Sequence, residues 1–270
     1  MKNRYTTKEL TEIFFEALSL FNECLESDIS ESNTVIAFFT PDNGIDVYED
    51  FCKEHFPKNL SENYKADGYM DSFAAQAFVS EKEYGVLIRE DIDFTLAGLQ
   101  FTLLHEISHM FCTRNEIKNG FFFDRYCMGS GEEDGIINAG YAIWREAVAD
   151  IMADSVLSEN ATMTLKQAKA EVLELFDKIS FENPDSKKCV SLILAYIMIS
   201  REVACTYEWQ KAKMEIENQI GFDNSIMMLL LEMSFIKLKE NPFWKITPDF
   251  IMDLGSTYIT MLASKRLQFM

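Results

Sequence analysis

The stretch that decides the fold is FTLAGLQFTLLHEISHMF, which runs from Phe94 to Phe111. Most of its side chains are apolar, and its charged and imidazole groups are confined to the segment HEISH at residues 105–109. A helical stretch that is apolar on nearly all sides is typical of a buried helix. We therefore predict a core helix that carries His105 and His109.

Residues four apart lie on the same face of a helix, so His105 and His109 can bind one metal ion together. The spacing His-Glu-x-x-His is typical of catalytic zinc sites. Glu106 is rotated slightly away from the two histidines, and its carboxylate would lie beside the ion. There it can take a proton from a metal-bound water and later return it to a leaving amine.

A catalytic zinc ion usually has three protein ligands, so a third must come from elsewhere in the chain. We predict Glu146, on a helix expected from Tyr141 to Leu157, because an unpaired carboxylate among its Ala and Val neighbours would be costly to bury. Asp150 lies one turn later on the same face. It is suited to accept the outer N–H of a ligating histidine and to fix its tautomer.

The sequence also offers alternatives to Glu146 as the third metal ligand. Cys112 and Asn115 stand where a longer zinc pattern would need glycine and a third histidine, which excludes that pattern. His55 is the one remaining histidine of three and is an alternative ligand. The glycine-rich segment 115–140 is interpreted as a long loop or a mixed segment between two helices. Its acidic residues are fallback ligands: Glu116, Asp124, Glu132, Glu133 and Asp134. Alternatively, Glu146, Asp150 and Asp154 form only a solvated helix face.

Two further roles cannot be assigned from spacing. Tyr126, Tyr141 or Arg145 could stabilise the oxyanion of a tetrahedral intermediate. The segment Gly129 to Gly135 is either a lid over the site or a flexible connection.

Sequence periodicity predicts the elements around the motif. We expect a helix from Thr6 to Glu26, a strand from Thr34 to Thr40 and a short helix near Ile45 to His55. We also expect a hairpin formed by Ser72 to Val79 and Tyr84 to Arg89. Its second strand lies just before the motif helix, and similarity to zinc peptidases, which commonly have an edge strand there, implies that it is an edge strand. Further helices are predicted over Leu165 to Ile179, Ser186 to Ala204, Ser225 to Glu240 and Asp249 to Leu267.

Composition limits the function classes. The 270 residues are 48% hydrophobic, enough for a sizeable core. The formal charge is 25 − 44 = −19, which argues against a nucleic-acid partner. The amino terminus lacks a secretory apolar region, and no apolar run is long enough to span a membrane, so we expect a cytoplasmic protein. The six cysteines stand singly and are predicted to be reduced thiols; an alternative is a redox or metal role for Cys112 and Cys127.

The pairing of HEISH at residues 105–109 with Glu146-x-x-x-Asp150 resembles the gluzincin zinc metallopeptidases. The segment REAVAD at residues 145–150, with the strand pair before the motif, is most similar to the ImmA/IrrE-type peptidases. The resemblance covers roughly Ser72 to Leu157. It implies an α+β, zincin-like domain over residues 1–160, with a small antiparallel sheet packed on the motif helix. A mostly helical region would occupy residues 161–270.

These observations favour a cytoplasmic zinc endopeptidase that acts on protein or peptide substrates. The alternative is a regulatory or interaction protein that keeps zinc for structure while its helical carboxy-terminal half binds a partner. A closed structural site needs a fourth protein ligand, for which Cys127 or an acidic loop residue is available. Neither reading predicts the oligomeric state.

Overall fold

The computed structural model describes residues 3–60, 62–66, 68–115, 131–157, 214 and 247–256. These residues form a mixed α+β structure with a three-stranded sheet and several helices. The chain divides into two compact units. The first comprises Met1–Lys118 and Ala149–Thr162, and the second comprises Asn119–Val148 and Met163–Met270.

Helix α1 spans Thr7–Cys24 and confirms the first predicted helix. It begins with a capping box: the Thr6 hydroxyl accepts from the Glu9 amide, and the Glu9 carboxylate accepts from the Thr6 amide at 2.8 Å. Its buried residues recur at three- and four-residue intervals and form one apolar stripe: Leu10, Ile13, Phe14, Ala17, Leu18 and Phe21.

The sheet contains β1 (Thr34–Phe39), β2 (Ala75–Val79) and β3 (Tyr84–Arg89) in the order β1-β3-β2. β2 and β3 form the predicted hairpin, which is confirmed. The expectation of a small antiparallel sheet holds for β2 and β3 but not for β1, which pairs with β3 in parallel. A parallel pair needs a crossover connection, and helix α2 (Gly44–His55) lies within it.

The expectation that β3 lies at the edge of the sheet is also wrong. β3 is the central strand and is buried from Tyr84 to Ile88, whereas β2 lies at an edge of the described sheet. A nearly continuous buried apolar run is typical of a strand covered on both faces. Near β1 and β2, aromatic side chains of α2 and the following residues form a buried cluster with Phe39 and Phe78: Tyr48, Phe51, Phe56 and Tyr64.

Helix α3 spans Leu96–Arg114 and packs against α1 and β2. It begins at the cap Thr95, whose hydroxyl accepts from the Gly98 amide at 3.0 Å. At its other end Arg114 donates to the Tyr84 hydroxyl at 2.8 Å and lies 3.5 Å from the Asp28 carboxylate. Burial raises the pKa of Tyr84, which keeps its hydroxyl neutral. The histidines therefore lie on a helix that is capped at its start and joined to the central strand at its end.

Helix α4 spans Glu132–Leu157 and begins earlier than the predicted Tyr141. At its start the Asp134 carboxylate reaches back and accepts from the Gly131 amide at 2.7 Å, as the third helical residue does in a capping box. A loop over the whole of segment 115–140 is therefore wrong, because residues 132–140 are helical; the alternative of a mixed segment agrees with this helix. The same correction applies to a lid at Gly129 to Gly135: residues 132–135 are helical, and residues 129 and 130 lie outside the described residues.

In the second unit, α4 packs closely on the helical residues 248–256. A Cβ at Gly140 would lie only 1.9 Å from the carbonyl oxygen of Ile251, so this crossing requires glycine. Ile143, Trp144 and Leu254 are buried in the same unit. Gly140 is thus a packing residue.

The described part of the last predicted helix, residues 249–256, is helical. The other three predicted carboxy-terminal helices and the rest of the fourth lie outside the described residues. None of the helices in the described ranges is long and apolar enough to cross a membrane.

Candidate metal centre

The two motif histidines face each other on α3. Nε2 of His105 lies 3.0 Å from Nε2 of His109, and the two rings are nearly perpendicular at 87°. Two imidazole nitrogens at this distance would repel through their lone pairs unless a proton or a metal ion lay between them. Tetrahedral zinc with ordinary Zn–N bonds separates two nitrogens by about 3.3 Å. Zinc would therefore require a displacement of only a few tenths of an ångström.

Asp150 holds the other side of the His105 ring. Its Oδ1 lies 2.8 Å from Nδ1 of His105, and the residue is buried, with 8% of its surface exposed. An ionised carboxylate only accepts hydrogen bonds, so Nδ1 of His105 carries the proton. That tautomer leaves a lone pair on Nε2, the nitrogen that faces His109.

Glu146 precedes Asp150 by one turn of α4, so both carboxylates lie along one face of a continuous helix. His105, His109 and Glu146 each offer one ligand atom, and these atoms all lie within 4.8 Å of one another. Two imidazoles and one carboxylate are a donor set that suits zinc. By their chemistry and spacing, these three residues could hold a metal ion.

Arg145 contacts the same carboxylate. Its Nη2 donates to Oε1 of Glu146 at 2.7 Å, and its Nε lies 3.2 Å from that same oxygen. The Arg145 side chain is 42% exposed and that of Glu146 is 22% exposed. The pair therefore lies where the donor set meets solvent.

Glu106 points towards the sheet edge. It is buried, and its Oε2 accepts a hydrogen bond from the Ala77 amide at 2.7 Å. The Arg89 amide bonds the Ala74 carbonyl and the Ser80 amide bonds the Glu83 carbonyl, and this alternation turns the Ala77 amide away from β3. The Glu106 carboxylate consequently lies against the outer side of β2.

The alternative ligands either lie away from His105, His109 and Glu146 or fall outside the described residues. His55 contacts Glu83 at 3.2 Å and Glu54 at 3.7 Å. Asp134 lies twelve residues before Glu146 on α4, about 18 Å along the helix axis; Glu132 and Glu133 are farther still. Glu116, Asp124 and Cys127 lie outside the described residues.

Some of the remaining cysteines and oxyanion candidates lie among the described residues, and the others do not. Cys24, Cys52 and Cys112 form no disulfide, and the Cys112 sulfur lies 3.5 Å from that of Met152. Of the oxyanion candidates, Tyr141 is buried beside Trp144 with ring centroids 5.6 Å apart, and Arg145 contacts Glu146. Tyr126, Cys189 and Cys205 fall outside the described residues.

Sequence reasoning missed two contacts of this centre. The Ala77 amide has no sequence signal, because every residue except proline carries the same backbone donor. Arg145 was considered only for a role towards substrate, since neighbours in a helix do not ordinarily face each other. Its bond to Glu146 is a feature of the folded side chains.

This chain matches no protein-family model, and no curated protein or solved structure is significantly similar to it. The gluzincin resemblance therefore depends on the motif residues themselves.

Proposed function

We propose that this protein is a cytoplasmic zinc-dependent endopeptidase with a zincin-like catalytic domain of the gluzincin type. His105, His109 and Glu146 would bind the ion, and Glu106 would act as general base. The observation that carries the proposal is the facing pair of imidazoles, 3.0 Å apart, with the His105 tautomer fixed by Asp150. A helix stabilised only by packing has no need of this arrangement.

Zinc, when bound, would supply Lewis acidity to a bound water and to the substrate carbonyl. Glu106 would accept the proton from that water on its carboxylate and deliver it to the leaving amine. The Ala77 amide orients the base by holding Oε2 at 2.7 Å. Asp150 keeps the Nε2 lone pair of His105 directed at the ligand position, so that neither ligand nor base must reorient during a turnover.

The position of β2 supports an extended peptide as substrate. Ala75, Ala77 and Val79 have backbone groups on the outer side of this edge strand, where a peptide can add by strand pairing. The Ala77 amide is already bound by Glu106, so the peptide carbonyl opposite it would lack that partner. This carbonyl would lie beside the general base.

The test compares zinc content and cleavage in the same preparations. We expect about one zinc per chain in the wild type and in Glu106→Gln, and less in Glu146→Ala, measured by elemental mass spectrometry. Cleavage of a defined peptide library, read by mass spectrometry, should occur with the wild type and not with Glu106→Gln. Metal-replete wild type without zinc contradicts the proposal, as does full cleavage by Glu106→Gln.

X-ray absorption at the zinc edge separates the peptidase from a structural zinc site. A catalytic centre with His105, His109 and Glu146 should show only nitrogen and oxygen ligands near 2.0–2.2 Å. A sulfur shell near 2.3 Å would indicate a cysteine as fourth ligand, as expected for the regulatory alternative.

A further inference from the structure

The contact between Arg145 and Glu146 is unusual for helix neighbours. Successive side chains point about 100° apart around a helix and do not ordinarily meet. Here the guanidinium reaches around α4, and both its Nε and its Nη2 approach Oε1 of Glu146, at 3.2 and 2.7 Å. Both donors belong to one guanidinium and converge on one oxygen, so the contact fixes where Oε1 lies.

A carboxylate has two oxygens, so one can hold a guanidinium while the other binds a metal ion. The charges agree with such a division. Glu106, Glu146 and Asp150 contribute three negative charges; a zinc ion and Arg145 together contribute three positive ones. Carboxylate ligands are commonly oriented by hydrogen bonds from a partner that does not touch the metal.

We propose that Arg145 is a positioning residue that holds Glu146 as a one-oxygen ligand and thereby sets the metal affinity of the centre. The proposal rests on the metal site of the proposed function, but not on its peptidase chemistry. It differs from the oxyanion role considered from the sequence, because Arg145 acts through a ligand and needs no substrate.

The competing explanation is an ordinary surface ion pair. Arg145 is 42% exposed, and exposed pairs contribute little on average. The two explanations differ in what happens when the arginine is removed. A surface pair leaves metal binding unchanged, whereas loss of a positioning residue weakens it.

The experiment is a cobalt titration followed by visible absorption, with zinc affinity measured by competition against a chromogenic chelator. It compares wild type, Arg145→Ala, Arg145→Lys and Lys8→Ala. Lys8 is 85% exposed on α1, so its variant removes the same charge without touching Glu146. Because alanine favours helix, Arg145→Ala should fold, and circular dichroism checks this.

We expect Arg145→Ala to bind both metals about 10- to 100-fold more weakly, with a changed cobalt spectrum. Arg145→Lys should recover only part of the affinity, because an ammonium cannot reproduce the two-donor fork. Lys8→Ala should match the wild type.

Unchanged or tighter binding by Arg145→Ala overturns the positioning role, the latter because it would show that the arginine competes with the metal. If the wild type itself binds neither metal, the metal site fails and this proposal fails with it. If the wild type binds and cleaves while Arg145→Ala is identical to it, only the positioning role fails.

Discussion

His55 and His105 each have a carboxylate beside Nδ1, but the groups on the other side of their rings differ. Nδ1 of His55 lies 3.2 Å from the Glu83 carboxylate, and Nδ1 of His105 lies 2.8 Å from the Asp150 carboxylate. The difference is at the other nitrogen. Nε2 of His55 faces the Glu54 carboxylate at 3.7 Å, whereas Nε2 of His105 faces the ring of His109 at 3.0 Å.

The second neighbour therefore distinguishes the two sites. Both ring nitrogens of His55 face carboxylates of the protein, so neither is directed at a second imidazole. A ring between a carboxylate and another imidazole keeps a lone pair available, which is what a metal ligand requires. A histidine–carboxylate contact alone does not indicate a metal site; the group at the second nitrogen must also be examined.

The largest difference between the His105 site and the His55 site is expected when His109 is removed. His109→Ala removes one of the two imidazoles at the facing pair, so the bound zinc should fall from about one per chain to almost none. His55→Ala is the matched control, because it removes an imidazole with a carboxylate contact of its own. Elemental mass spectrometry after dialysis measures both. Equal zinc loss in the two variants would contradict the distinction.

A smaller effect on metal binding is expected when the Asp150 carboxylate is replaced. Asp150→Asn keeps the shape of the side chain but weakens its hold on Nδ1 of His105, so metal affinity should fall about 10- to 100-fold. Chelator competition measures the change. Glu133→Gln, an exposed substitution in the first turn of the same helix, is the control and should leave the affinity at its wild-type value.

Comparing these sites also shows how far the sequence can be interpreted. His105 and His109 could be paired in advance because helical periodicity is local: four residues always return to the same face. The partner of His55 could not be found in this way, since Glu83 lies 28 residues away, just before β3. Its position depends on tertiary packing.

The same distinction explains the errors in the fold. The hairpin of β2 and β3 was predictable because its strands are joined by a short turn. The parallel pairing of β1 with β3 was not, because it depends on a long connection through α2. For α4, Gly135 and Gly140 suggested a loop, but the second of these allows contact with Ile251.

A substitution at Ala77 tests whether the outer side of β2 affects catalysis through its hydrogen bond to Glu106. Proline at residue 77 deletes the amide that Glu106 accepts but no ladder bond to β3, because that amide points outward. Once a cleaved peptide is known, we expect Ala77→Pro to lower kcat about tenfold while zinc content stays at the wild-type level. Val79→Pro, at another outward-facing amide of β2, is the control. A similar fall in kcat for both variants would attribute the effect to strand distortion.

The smallest effect is expected at the His55 pair. Both side chains are partly exposed, His55 by 26% and Glu83 by 31%, so the contact should stabilise the fold by at most about 1 kcal/mol. Glu83→Gln should lower the free energy of unfolding by that amount or less in chemical denaturation. A loss of several kcal/mol would contradict the description of this pair as a weak, partly exposed contact.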